Sequence, residues 1–380
     1  MFVAIAIGLW RSRRAPAKVP SLVIACVALL FGISLLATRL DPKALMAVGQ
    51  WWMQVVILSL FVVTLVRNHV QPRVVLFWFV SALLPVAILG CVQYATQQVV
   101  GSSWLGIASQ LPETAGVSVV EHGVYRVLRI YGTFPHPNIF GGWLVSGIIA
   151  SFIAVLRVET KKRALFFIFA SALLSLVLLL TYSRSAWIAA VVGVLGLFLT
   201  PLLTKAGRGE VLKNLKNQFC ILALLASFFC VVIVGYSQRD HILARSDTSS
   251  RLESKSVDVR LQSLKDGWSV FRRHPWIGIG PNAELLALAA RYPTLAPAPL
   301  ESPHNVYLLA FEDIGIIGSI AVLGLLVIAV RNIEDKKRAV VFVLPILVLG
   351  MFDHYLWSYW GGQSLVAIVA LLSLLQDPVA

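Results

Sequence analysis

The sequence predicts an all-α polytopic membrane protein with about 10–12 transmembrane helices. Hydrophobic residues make up 58% of the 380 residues and charged residues only 13%, whereas a soluble domain is about half apolar and a quarter charged. The mean hydropathy is +0.82. Apolar stretches of about 20 residues, the length that crosses a bilayer, recur along the whole chain.

Ten apolar runs are the predicted spans. They cover about 20–38, 45–66, 74–93, 139–157, 164–182, 186–203, 219–236, 305–330, 339–352 and 361–375. The run at 339–352 is short and is expected to extend into its aromatic flank. Met1–Trp10 is apolar but too short to span alone, and it precedes its basic cluster, unlike a secretory signal. It is therefore either part of a further span or an interfacial segment.

The basic residues orient these spans. If Arg11–Lys18 is cytoplasmic, 18 of the 32 Lys and Arg residues lie in inner loops and five in short outer loops. The remaining nine lie in one long outer segment, where the charge rule weakens. The formal net charge of +14 is thus mainly a topology signal. Nucleic-acid binding is not expected, because no basic stripe alternates with aromatic residues on a soluble domain.

We expect a single membrane domain over 1–380 with two excursions on the outer side, at 94–138 and 237–304. The second excursion predicts an amphipathic helix, because its apolar residues recur at steps of four and three, and Pro275 should stop that helix. Pro281 is placed to open another short helix. The outer side should therefore carry a small helical cap. The apolar residues of the amphipathic helix are Val257, Leu261, Leu264, Trp268 and Phe271.

Neither a metal site nor a cofactor is predicted. Cys26, Cys91, Cys220 and Cys230 lie in or beside apolar runs, without the spacing of zinc ligands or of a disulfide framework. The sequence contains no Asp-x-Asp, so a divalent-metal clamp on a diphosphate is not expected. Arginines are a metal-free substitute, because a guanidinium group matches phosphate oxygens bidentately.

Three arginines on the predicted outer face are candidates for such a role. Arg184, in "TYSRSAW", lies near the membrane boundary, where a charge is costly and usually functional or paired. A snorkelling side chain is the alternative, but lysine would serve that purpose equally well. Arg260 lies beside the apolar stripe of the amphipathic helix, and a solvated helix face explains it as well. Arg129 precedes a proline- and glycine-rich stretch, and for it a functional role and a structural role are equally open.

Histidine is the candidate general base. His304, in "SPHNVYLL", lies at the mouth of a predicted span, where an imidazole can accept a proton near neutral pH. The alternative is a polar group that satisfies a helix start. His354 lies in "FDHYLWSYW", whose aromatic residues predict an interfacial belt.

Four motifs in order carry a family resemblance. They are "RIYGTFPHPNIFGGWL", "LLLTYSRSAWIA", "RLQSLKDGWSVFRRHPWIGIGPN" and "PHNVYLLAFEDIGIIG". Over roughly 125–325 the chain resembles the O-antigen ligase and polymerase superfamily of bacterial envelope glycosyltransferases. The resemblance implies a fold similar to that of C-type glycosyltransferases, and a metal-free transfer of glycan from undecaprenyl diphosphate at the periplasmic face of the inner membrane. Ligases pass the glycan to a lipid A-core sugar, and polymerases pass it to another lipid-linked repeat.

The resemblance also implies roles for individual residues. Arg184 and Arg260 match the family's arginines and His304 matches its histidine, so these three are the predicted catalytic residues. Asn282 and Asn305 are weaker predictions for orienting groups. The compact outer cap and the absence of a large soluble domain favour ligase over polymerase.

The stretch from Arg129 to Gly142 is predicted to line the donor cavity. Its prolines and Gly132 would break a helix, and irregular backbone at membrane depth is tolerated only inside protein or beside water. Arg129, His136 and Asn138 are then candidates for contact with the donor headgroup. The alternative is a structural turn that starts the next span, with Asn138 near the helix cap.

Two other function classes remain open. A transporter or flippase of lipid-linked sugars would place ionisable residues within its spans, and the apolar runs are nearly free of them. Glu312 and Asp313 are exceptions, but the run at 305–330 is about 39 Å long, so they are expected near its outer edge. A non-catalytic scaffold gives no reason for the outer arginines and histidine.

Overall fold

The structure is a computed structural model that describes residues 21–122, 125–158, 160–203, 217–245, 251–291, 300–333 and 335–375. The predictions for Met1–Trp10, for Arg11–Lys18 and for most of the inner loop after the sixth run lie outside these residues.

Fourteen helices and one hairpin are numbered here within the described ranges. They are α1 (Ser21–Ala37), α2 (Pro42–Arg67), α3 (Pro72–Thr96), β1 (Val119–His122), β2 (Tyr125–Leu128), α4 (Pro137–Arg157), α5 (Lys161–Leu180), α6 (Arg184–Leu199), α7 (Gln218–Ser237), α8 (Arg239–Ala244), α9 (Arg251–Arg273), α10 (Glu284–Arg291), α11 (Val306–Asn332), α12 (Lys336–Phe352), α13 (Tyr355–Ser358) and α14 (Trp360–Leu374).

The all-α polytopic fold class is confirmed, and each of the ten apolar runs is helical. Among the described residues, seven helices are long and apolar enough to cross a membrane: α2, α3, α4, α5, α6 with the short 3-10 turn that follows it, α7 and α11. The other three runs form α1, α12 and α14, with 17, 17 and 15 residues. Helices of that length span hydrocarbon only where the bilayer is thin or the flanks extend the span.

Polar side chains fix several helix starts. Asp41 caps α2 by accepting the backbone N–H of Ala44, and Pro42 occupies the first turn, where its missing N–H costs nothing. Asn217 caps α7 by accepting two backbone N–H groups, and Asp335 caps α12. Each cap satisfies donors that have no partner within the helix.

The chain forms two compact units. The first comprises residues up to Val70, Ser256–Ala339 and the residues from Gly350 onward. Within it, α11 packs against α1, and α14 packs against α2 and α13. Its core is a cluster of apolar residues from α1, α2, α11 and α13, which includes Leu30, Trp51, Leu309 and Trp357.

The second unit comprises Gln71–Lys255 and Val340–Leu349. Its centre is α4, which packs against α3, α5, α6 and α7 and is 89% buried over its apolar window. Small residues on α4 allow this burial. A Cβ at Gly147 would meet Leu83 at 2.6 Å, so glycine at this position lets α3 and α4 approach closely.

Two features of the fold were not predicted. The excursion at 94–138 contains the antiparallel hairpin β1–β2, in which Val119 pairs with Leu128, and the hairpin contacts α8. The long helix α11 is broken at Gly315, which has φ 62° and ψ −171°. A residue other than glycine would be strained in that conformation.

Candidate functional site

A buried arginine joins two of the sequence motifs in the second unit. Arg129, 5% exposed, donates from Nε to the Thr181 carbonyl at 2.7 Å and from Nη2 to the Asn138 side-chain oxygen at 2.7 Å. Thr181 ends α5 and Asn138 lies in the first turn of α4. The guanidinium group therefore ties the start of α4 to the turn that leads into α6.

The first turns of α4 and α6 lie side by side. A Cβ at Gly141 would meet the Ala186 side chain at 2.8 Å and the Ser183 side chain at 3.4 Å, so glycine permits this close approach. Helix N-termini carry partial positive charge and backbone N–H groups without an intrahelical partner. Two such termini together make a strong anion-binding environment.

Arg184 is the first residue of α6, and its side chain is half-buried. A cation at a helix N-terminus opposes the helix dipole, so local helix stability gives no reason for this arginine. Its Nη1 donates to the backbone carbonyl of Arg245 at 2.7 Å. The position adds positive charge to a helix end that is already positive.

A third arginine, Arg245, reaches the same turn. It follows α8 and is 7% exposed. Its Nε donates a hydrogen bond to the carbonyl oxygen of Tyr182 at 3.4 Å. Nothing in the local sequence distinguishes it from its basic neighbours in the long segment after α7. We call Arg129, Arg184 and Arg245, with the Thr181–Arg184 turn, the arginine turn.

Tyr182 shapes this turn. Its φ is 48° and its side chain is 1% exposed, so a buried residue holds the backbone in a left-handed conformation. Burial raises the pKa of its hydroxyl far above the ordinary value. The neutral hydroxyl therefore donates to the side-chain oxygen of Gln238 at 3.1 Å, which fixes the turn against the end of α7.

The stretch before α4 is irregular, as predicted. Gly132 has φ 58°, and Gln93 of α3 satisfies this backbone by accepting the N–H groups of Tyr131 and Gly132 and donating to the Gly132 carbonyl. His136 caps α4, because its Nδ1 accepts the backbone N–H of Asn138 at 3.1 Å, and its Nε2 lies 3.1 Å from the Ser118 hydroxyl.

Arg260 and His304 belong to the first unit. Arg260 lies on α9, which ends at Arg273, two residues before Pro275, as predicted. Its side chain is half-buried, and its backbone carbonyl accepts the hydroxyl of Ser263 at 3.0 Å. Its charge acts on His304.

His304 lies one residue before the cap of α11 and is held by few hydrogen bonds. Its Nε2 is 3.9 Å from a carboxylate oxygen of Glu301, which is too long for a hydrogen bond. Its Nδ1 is buried, and no described residue hydrogen-bonds to it. The His354 ring packs edge-on at 5.6 Å between centroids. The imidazole is thus placed by packing and is left with hydrogen-bonding capacity.

The surroundings of His304 favour its neutral form. Burial lowers its pKa first of all, the nearby Asp353 carboxylate raises it, His354 and Arg260 lower it, and Glu301 raises it. The net pKa lies below the ordinary value. A neutral imidazole at neutral pH is the form that can accept a proton.

Two of the aromatic residues around His354 are buried. The Nδ1 of His354 lies 2.7 Å from the hydroxyl of Ser358. Tyr355 and Trp357 are buried at 3% and 7% exposure, whereas Tyr359 and Trp360 are exposed. The belt prediction is therefore wrong for two of the four aromatic residues, because α13 turns them inward against the broken helix α11.

Glu312 and Asp313 are fully buried against the protein, and their expected place near the outer edge of the span stays a prediction. Because α11 breaks at Gly315, the segment after α9 docks into the break. The Glu312 and Asp313 carbonyls accept the N–H groups of Ile279 and Gly280 at 2.9 Å. The Asp313 side chain accepts the indole N–H of Trp357 at 2.7 Å.

The two candidate asparagines belong to this framework. Asn282 has φ 63°, and its backbone N–H lies 3.3 Å from an Asp313 carboxylate oxygen. Asn305 caps α11 by accepting the Leu308 N–H at 2.9 Å, and its amide donates to the Met351 carbonyl at 3.2 Å. Asn305 thus shapes the backbone next to His304, and Asn282 contacts α11 at Asp313.

The candidate residues thus form two groups. Arg129, Asn138 and Arg184 meet around one turn of the second unit, with His136 capping the adjacent helix. Arg260, Asn282, His304 and Asn305 belong to the first unit, where Arg260 and His304 lie within electrostatic reach of each other. Sequence reasoning missed Arg245, Gln93 and Asp353, all of which act through contacts distant in sequence.

A comparison with protein families finds one match that bears on these residues. Residues 169–323 match the model described as O-Antigen ligase. The matched segment includes Arg184, Arg245, Arg260 and His304. A comparison with curated proteins finds no match. This segment, which is less than half of the chain, is similar to the O-antigen ligase family, and the match supports the resemblance to the O-antigen ligase and polymerase superfamily.

Proposed function

We propose that this protein is a metal-independent, inverting glycosyltransferase that moves O-antigen glycan from undecaprenyl diphosphate to a lipid A-core sugar. It would act in the bacterial inner membrane, with its site facing the periplasm. The observation that carries the proposal is the arginine turn, where three guanidinium groups surround one turn beside two helix N-termini. A lipid-linked diphosphate matches that positive charge.

The arginines bind the leaving group in this mechanism. Arg184 holds the diphosphate oxygens, and Arg129 and His136 fix the helix starts around them. For Arg260, the family resemblance alone implies contact with the diphosphate. As the glycosidic bond breaks, negative charge builds on the diphosphate, and fixed guanidinium groups stabilise it without reorganising.

His304 activates the acceptor. Its neutral imidazole takes the proton from an acceptor hydroxyl as that oxygen attacks the anomeric carbon. The bond between the anomeric carbon and the diphosphate oxygen breaks, and undecaprenyl diphosphate leaves with the electron pair. A single displacement of this kind inverts the anomeric carbon. Asn305 orients His304 through the start of α11, and Asn282 is a second candidate orienting group.

Gene deletion in the native bacterium tests the activity and separates ligase from polymerase. We expect lipopolysaccharide without O-antigen, together with glycan polymer that accumulates on undecaprenyl diphosphate at the periplasmic face. Lipopolysaccharide capped with single repeats would identify a polymerase instead. Lipid-linked glycan retained at the cytoplasmic face would contradict both and identify a transporter.

A further inference from the structure

Helix α9 has three distinct faces. One face packs inward, with Ser263 and Val270 buried at 5% and 4% exposure and Gly267 between them. A second face is apolar but exposed: Val257, Leu261 and Trp268 are 36%, 51% and 51% exposed. At 100° per residue, roughly, these three share one side of the helix. The described residues leave this apolar face uncovered.

The third face is charged and exposed. Lys255, Asp258, Gln262 and Lys265 lie on it, and Arg272 stands at its border with the apolar face. Arg260 stands at the opposite border, between the apolar face and the packed face. Cationic side chains therefore flank the exposed apolar residues on both sides, a pattern typical of helices that lie in a membrane interface.

Contacts with α11 set the depth of α9. The Phe271 ring lies 5.6 Å from that of Phe311, and Gly267 faces the side chain of Glu312. Both partners belong to the first two turns of α11, a helix long and apolar enough to cross a membrane. The end of such a helix lies near the boundary between hydrocarbon and headgroups, so α9 lies at that level too.

The exposed apolar face of α9 is continuous with a lipid-facing surface. Trp268 contacts Phe271 at 5.3 Å between ring centroids, and Phe271 contacts Phe311, which is 40% exposed. Further along α11, Ile320 and Leu323 are 65% and 60% exposed. Exposed aliphatic residues on a spanning helix contact acyl chains. The contacts among Phe311, Phe271 and Trp268 extend this apolar surface from α11 to α9.

We propose that α9 is an interfacial helix, which rests its Val257–Leu261–Trp268 face on the bilayer leaflet in which α11 begins. Trp268 lies at headgroup level, where tryptophan is enriched. Lys265 and Arg272 bind lipid phosphates at its edge. If the proposed function holds, the bilayer also keeps Arg260 at headgroup level, where the diphosphate of a lipid-linked donor lies.

Spin labelling tests the proposal without reference to transfer activity. The four native cysteines are replaced by alanine, and single cysteines are introduced as Leu261→Cys and Trp268→Cys on the apolar face. Lys265→Cys and Gln262→Cys are the controls on the charged face, and Ile320→Cys is the lipid reference. Each protein is labelled with nitroxide in vesicles of phosphatidylethanolamine and phosphatidylglycerol. Collision rates with oxygen and with a water-soluble nickel chelate are then compared.

We expect labels at 261 and 268 to resemble the label at 320, with frequent oxygen collisions and few nickel collisions, and labels at 262 and 265 to show the reverse. Frequent nickel collisions at all four positions of α9 would overturn the proposal. So would dipolar broadening at 261 that disappears on dilution with unlabelled protein, because this would make the face a contact between two copies.

A second measurement keeps all native cysteines. Tryptophan fluorescence of the wild type and of Trp268→Phe is recorded in vesicles that contain brominated lipids, and separately with aqueous iodide. The difference between the two proteins reports Trp268 alone. We expect that signal to be quenched by bromine and protected from iodide, and quenching by iodide alone would overturn the proposal.

Discussion

The arginine turn and the surroundings of His304 differ in how their side chains are held. Arg129, Arg184 and Arg245 each donate to a backbone carbonyl, so hydrogen bonds fix their guanidinium groups in place. His304 is instead positioned by packing and keeps an Nδ1 without a hydrogen-bond partner among the described residues. Fixed cations suit the binding of an anion, and an imidazole with open hydrogen-bonding capacity suits the transfer of a proton.

Under the proposed function, the arginine turn binds the donor and His304 activates the acceptor. Fixed guanidinium groups stabilise a diphosphate without reorganising. A general base must exchange a proton in each turnover, and strong hydrogen bonds to both ring nitrogens would oppose that exchange. Variants in the two regions should therefore fail in different ways.

The largest expected effect is that of His304→Ala on the transfer rate. Removing one acid–base group should lower the rate by about 10²–10⁴. The measurement is single-turnover transfer by purified protein, with the melting temperature as a control for folding. Asn217→Ala is a matched control, since it removes the helix cap of α7, which is not part of the proposed site. A stable His304→Ala variant that retains more than about a tenth of the wild-type rate would exclude His304 as the base.

Arg184→Lys should show the next largest effect, because lysine keeps the charge and loses the planar fork. Losing one charge-assisted hydrogen bond of about 1.5–3 kcal/mol should weaken donor binding by roughly 10–100-fold. Titration of purified protein with undecaprenyl diphosphate measures this loss. Arg239→Lys is the control, since Arg239 is an exposed arginine of α8. Unchanged binding by Arg184→Lys would favour a snorkelling side chain.

A smaller effect concerns the pH dependence of transfer. The base is active when neutral, so transfer should fall only as the pH drops through the pKa of His304, which burial lowers below its ordinary value. His354→Gln removes a neighbour that lowers this pKa, so the acid limb should move to higher pH. Asp353→Asn removes a carboxylate that raises it, so the acid limb should move to lower pH.

The pH profile of kcat/KM for the two variants is the measurement. Glu301→Gln is a further check, and it should shift the limb in the same direction as Asp353→Asn, because Glu301 also raises the pKa. If the acid limbs of His354→Gln and Asp353→Asn moved in the same direction, His304 would not be the group whose titration sets the acid limb.

The helices could be predicted from the sequence because burial in hydrocarbon requires long apolar runs and satisfied backbone. The start of α4 (Pro137–Arg157) follows from local signals, namely the capping residue His136 just before it and the proline in its first turn. The break at Gly315 could not be predicted, because it depends on carbonyls that accept N–H groups from Ile279 and Gly280. A lone glycine in an apolar run gives no sign of such a partner.

The candidate site was predictable only in part. Arg184 and His304 stand out because polar residues at a membrane boundary are costly. Arg245 does not, since several basic residues surround it and only its contact with Tyr182, 63 residues away, marks it. Gln93 was missed for the same reason, because an amide in an apolar helix is informative only once its partners around Gly132 are known.

The division between donor binding and acceptor activation is tested most directly by one binding measurement. The affinity of undecaprenyl-diphosphate-linked glycan for purified wild type, Arg184→Ala and His304→Ala is measured in the absence of acceptor. We expect His304→Ala to bind the donor as the wild type does and Arg184→Ala to lose at least tenfold in affinity, the lower end of the range for one charge-assisted hydrogen bond. Equal losses in both variants, or no loss in either, would contradict the account.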